Sequence, residues 1–148
     1  MSVTRAEVVR ACSLFNVTLR PLSTFPGKHP GSHSPFFAVR GWTREVWCNP
    51  KFLTTCPSYD ALVFTLGHEC GHIVHNHFER PSYMGRSWEH EIQADAWGVE
   101  ACKALGCDPT HGVAFLTYIR SMYHDPGFSG ARELDARIAT LTVALAKA

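Results

Sequence analysis

The string His68-Glu69-Cys70-Gly71-His72 sets two histidines four residues apart, a spacing that a helix stacks one turn above the other on one face. Two imidazoles so placed can point at one metal ion, with Glu69 turned slightly aside toward a water activated there. The chain holds nine histidines, so the pattern needs support from elsewhere in the sequence. Glu91 follows His72 by nineteen residues and Asp95 follows Glu91 by four, so both carboxylates project from one face of the next helix. A hydrolytic zinc takes three protein ligands and leaves one position open. A carboxylate behind a ligand histidine fixes its tautomer and orientation. His68, His72 and Glu91 meet the first need and Asp95 the second, so one Zn2+ per chain is the expected cofactor. The longer three-histidine pattern, H-E-x-x-H-x-x-G-x-x-H, fails here because its last two slots hold His75 and Phe78.

The rest of the chain supplies a scaffold for two such helices. Thr4 and Glu7 form a capping box with Val3 and Val8 at the staple positions, which predicts a helix over about 5–15. Val17 to Arg20 reads as a short strand, and Pro21 to Ser34, with His29 and His33, as a solvated loop. Phe36 to Arg40 and Arg44 to Cys48 are aromatic and β-branched and read as a hairpin. Ser58 can cap a helix over about 59–78 that carries the histidines. Ser87 can cap the next, closed near Leu105 by Gly106. Asp108-Pro109 opens a helix over about 109–123, and a last one over about 131–147 sets Leu134, Ile138, Leu141 and Leu145 on one face. The expected fold is a compact, helix-dominated α+β domain, with a small sheet before the histidine helix and a single domain over 1–148.

Composition narrows the function classes. The chain is 45% hydrophobic and 18% charged, the balance of an ordinary folded protein. A net charge of +1 with no basic block gives no support to nucleic acid as a partner. No stretch approaches the roughly 18 apolar residues that span a bilayer, and the polar start, Met1 to Arg10, does not read as a signal peptide. A cytoplasmic location is the expectation. The six cysteines include no C-x-x-C pair and read as free and mostly buried.

At this point the sequence resembles a known family. Gly67 to His77 looks like the active-site helix of the gluzincin metallopeptidases that include the CAAX prenyl protease and the bacterial heat-shock membrane peptidase. Glu91 to Gly98 resembles that family's E-x-x-A-D-x-x-G block, continuing through Ala104 to Pro109, and the likeness spans roughly residues 36 to 141. It implies a zincin-like fold in a minimal version without the family's membrane helices. The implied activity is zinc-dependent endopeptidase action on a peptide or protein substrate. The family's His-Pro pair ahead of Arg-Ile in the last helix is missing: Arg137-Ile138 is present, but Ala131 and Arg132 fill the other slots, and His124-Asp125-Pro126 is the nearest substitute. A related group, peptidases that cleave phage-type repressors, usually carries Asn where this chain has Asp95.

The roles follow. Glu69 is the expected general base, passing a proton from water to the leaving amine. Charge on the tetrahedral oxygen needs a donor. His124 and Arg137 are the first candidates, ahead of Tyr118 and Tyr123. His75 reads as a packing residue near the ligands, and His77 and His90 as exposed. Arg44 to Cys48 is the expected sheet edge for an extended substrate. Gly71 permits close approach of a neighbouring chain to the active helix. The second class of reading is a regulatory protein that holds zinc without turnover.

Overall fold

The computed structural model describes residues 3–21, 36–40, 44–48, 55–75, 88–122 and 129–147. Five helices and three strands lie within them: α1 (Arg5–Phe15), β1 (Thr18–Pro21), β2 (Phe36–Arg40), β3 (Glu45–Cys48), α2 (Tyr59–Val74), α3 (Trp88–Ala104), α4 (Thr110–Ser121) and α5 (Ser129–Ala146). Helix dominates, with one small sheet, as the hydrophobic periodicity predicts. None of the described helices is long and apolar enough to cross a membrane.

Local chemistry explains the element ends. The Thr4 hydroxyl accepts from the Glu7 N–H and the Glu7 carboxylate from the Thr4 N–H, closing the capping box of α1. Asn16 ends that helix in the left-handed region at φ 54°, one of the few side chains that tolerates it. Ser58 caps α2 by accepting from the Ala61 N–H at 3.1 Å, and α2 closes at His75. The predicted extension over 76–78 falls outside the described residues, as do Ser87, His29 and His33. Asp108 does not sit at the N-cap of α4; Pro109 does, while the Asp108 carboxylate takes the Thr110 N–H at 2.9 Å.

The sheet corrects one expectation. Its strand order is β1-β3-β2, with β1 parallel to β3 and β2 antiparallel to it. The hairpin forms as predicted, with a bulge between Ala38 and Arg40. However, β3 is the middle strand, so Arg44 to Cys48 is not an edge. The parallel partner comes from across a long connection, which no local pattern announces. Arg44 reinforces that pairing: its guanidinium donates to the carbonyls of Asn16 and Phe15, at 2.8 and 2.6 Å, where α1 turns into β1.

Helix α2 runs through the centre and is buried all round from Ala61 to Ile73 apart from the half-buried Thr65. Buried residues of all five helices and of β3 join one apolar cluster, including Phe15, Val46, Phe64, Phe115 and Leu134. Trp47 belongs to the interior. All six cysteines are free. Burial pushes the thiols of Cys56, Cys70 and Cys102 up to about 12, which disfavours the thiolate form.

Candidate metal centre

The face of α2 that carries His68 and His72 is turned toward α3, and Glu91 projects from the first turn of that helix. The three side chains meet at one point. His68 Nε2 and His72 Nε2 are 3.1 Å apart. Glu91 Oε2 stands 3.0 Å from the first and 2.9 Å from the second. Both imidazoles are almost fully buried, and their rings meet edge to face at 90°.

The chemistry of this triangle matches a cation site. Ligand atoms about 2.0–2.1 Å from a tetrahedral ion lie about 3.3 Å from each other, a few tenths of an ångström wider than seen here. His68 Nδ1 lies 2.7 Å from Asp95 Oδ1, a carboxylate oxygen that can only accept. Nδ1 therefore donates to Asp95 in either protonation state, so when His68 is neutral, as a metal ligand must be, its Nε2 lone pair faces the triangle. Two ring nitrogens and a carboxylate oxygen converge there, and the His68-His72-Glu91 group could hold a metal ion.

Charge around the triangle has a definite order. Burial and the Arg137 charge oppose protonation of His68, but Asp95 and Glu91 outweigh them and hold the imidazole up to about 9. Burial works against an ionised Glu91, yet hydrogen bonds from both histidines hold its carboxyl well below the usual range. Asp95 is lowered too: desolvation opposes its charge and the Arg137 guanidinium overcomes it. In chelator-stripped protein, a raised His68 stabilises the fold fully below its ordinary value near 6.5, and that contribution fades as pH rises through about 9. Urea unfolding with chelator present should show a loss of about 3 kcal/mol over that window, a slope that His68→Gln removes. A wild-type slope that survives in His68→Gln would show that other groups cause it.

Behind His68 the network continues into α5. Arg137 grips Asp95 with both ends of its fork, Nε to Oδ2 at 2.8 Å and Nη2 to Oδ1 at 2.8 Å. Asp95 is 2% exposed and Arg137 9%, so the pair is largely buried. Sequence reasoning expects Arg137 to face a reacting oxygen; the structure commits two of its nitrogens to Asp95. Glu133, one turn earlier on α5, has Oε1 3.8 Å from Arg137 Nη1. Burial and the Glu91 charge push its carboxyl up, which marks it as a neighbour of the site that the motifs do not reveal. Its only sequence signal is the four-residue spacing ahead of Arg137.

The remaining candidates fall as follows. Glu69, next to His68 on α2, is buried at 4% exposure. His124 and Tyr123 lie outside the described residues, as does His77. Tyr118 is exposed on α4. His75 is exposed at the end of α2, while His90, expected on the surface, is buried at 8% although its neighbour Glu89 is exposed. Comparison with protein families, curated proteins and solved structures found no match for the chain.

Proposed function

We propose that the chain is a zinc-dependent endopeptidase of gluzincin type with a zincin-like fold. The observation that carries this reading is the triangle of His68, His72 and Glu91 donors, with a buried Glu69 beside it on α2. The ligand set is that of catalytic zinc: two imidazoles, one carboxylate, and no cysteine within the group. A structural zinc is normally closed by four ligands rich in cysteine, which weighs against a purely structural role.

When bound, zinc supplies Lewis acidity, lowering the pKa of a water to about 7 and polarising a carbonyl. Glu69 would accept a proton from the attacking water as its oxygen adds to the peptide carbon. It then delivers the proton to the amide nitrogen as the C–N bond breaks, leaving a carboxylic acid and an amine. Burial holds the His72 donor atom in place, and Asp95 holds His68 through Nδ1. An extended peptide suits the free edge of β2, the strand that lies against α2 and, among the described residues, pairs only with β3.

Metal content tests the reading first. Purified protein should hold one zinc per chain by elemental analysis. Glu91→Ala, which removes one of three ligand atoms, should retain less than about a tenth of it after dialysis against a mild chelator. A wild-type chain that takes up no zinc on reconstitution would remove the reading altogether.

A further inference from the structure

Arg137 has a task that neither its sequence context nor the hydrolytic reaction assigns to it. Asp95 Oδ1 receives two donors, His68 Nδ1 at 2.7 Å and Arg137 Nη2 at 2.8 Å, while Oδ2 receives Arg137 Nε at 2.8 Å. The terminal torsion of an aspartate is broad and soft, so one imidazole contact alone would let the carboxylate swivel. A two-point guanidinium fork fixes the carboxylate plane, and with it the direction in which Oδ1 meets His68. Arg137 Nη2 also stands 3.4 Å from His68 Nδ1. Both groups are donors, so they do not bond; they converge on the same oxygen.

The fork comes from a different helix. α5 lies beside α3 across a cavity of about 200 Å³, walled by Ile92, Ala96, Val99 and Leu141, with Asp95 and Arg137 in its lining. Asp95 and Arg137 are themselves buried at its inner side, which strengthens the charge-assisted hydrogen bonds between them.

We infer that Arg137 is a positioning residue for the metal: through Asp95 it sets the orientation in which His68 presents Nε2. The docking of α5 thereby becomes a condition for a competent ligand set. This rests on the zinc-site reading above. It differs from an oxyanion role in what it predicts, because a positioning residue changes metal affinity and a donor to the reacting oxygen changes turnover.

The test compares Arg137→Met and Arg137→Lys with Thr140→Val, a substitution in the lining of the same cavity that leaves the charged pair alone. Zinc affinity is read by competition with a chromophoric chelator. The second readout is the downfield proton resonance of an imidazole Nδ1–H bonded to a carboxylate, assigned with His68→Gln. Arg137→Met should weaken zinc binding by about 10- to 100-fold and lose the resonance. Arg137→Lys, with charge but no fork, should fall between, and Thr140→Val should stay within about twofold of wild type. In an Asp95→Asn background, Arg137→Lys should add less than about twofold, since the path runs through Asp95. Wild-type affinity and an intact resonance in a folded Arg137→Met or Arg137→Lys protein would overturn the assignment. If Arg137→Met does not fold, the Lys variant decides. If the wild-type chain binds no zinc, the peptidase reading fails on that result, and the resonance in Arg137→Lys still decides the positioning role: its loss supports it and its retention overturns it.

Discussion

Glu69→Gln should lower peptide hydrolysis by roughly a thousandfold while zinc content stays at one per chain. The magnitude follows from the role: a positioned general base is worth about 10² to 10⁴-fold, and an amide cannot accept the proton. Zinc is expected to stay because the three converging donor atoms belong to His68, His72 and Glu91, and Glu69 is not among them. Gln fills the same volume at a position only 4% exposed, so the packing of α2 is preserved. Steady-state rates on a generic peptide substrate, beside elemental analysis of the same preparation, separate the outcomes. Activity retained with zinc present would remove Glu69 from the mechanism. Zinc lost together with activity would make it a structural residue of the site.

How far the site could be read in advance depended on how local its geometry is. His68 and His72 share one helical face because they are four apart, and Glu91 and Asp95 share another for the same reason. Their meeting needs only two helices that are neighbours in sequence. Helix existence was also legible, since capping residues such as Thr4, Glu7 and Ser58 and the apolar stripe of α5 are local signals. What escaped is set by contacts between distant segments. The hairpin predicts β2 beside β3, but β1 reaches β3 through a parallel pairing encoded by no turn, so the middle strand was mistaken for an edge. Arg137 resembles a residue aimed at substrate until its fork is seen on Asp95, forty-two positions away. Glu133 enters the site only because α5 docks against α3. The burial of His90 likewise depends on how α3 is rotated against the core.

That dependence on helix docking yields the other large expected effect. Gly71→Val should destabilise the fold by about 3 kcal/mol and weaken zinc binding with it. A Cβ built on Gly71 would lie 2.8 Å from Ala94 Cα, 2.9 Å from Trp97 Cβ and 3.1 Å from Ala94 O. Two of these three atoms are backbone, and the third is fixed to backbone, so no flexible side chain can give way. α2 and α3 must separate instead. Those two helices carry His72 and Glu91, whose atoms now stand 2.9 Å apart, so separation opens the triangle. Gly71→Ala sets two effects against each other. Alanine gains roughly 1 kcal/mol of helix propensity over glycine, while forcing an extra methyl into a close-packed contact costs about 1–3 kcal/mol. The packing cost should win, so Gly71→Ala should lower the melting temperature by several degrees and Gly71→Val should lower it further. Thermal unfolding and chelator competition on both variants check the order. A melting temperature that rises in Gly71→Ala would mean that propensity outweighs packing, and that the two ligand-bearing helices tolerate a wider approach than the 2.8 Å contact allows.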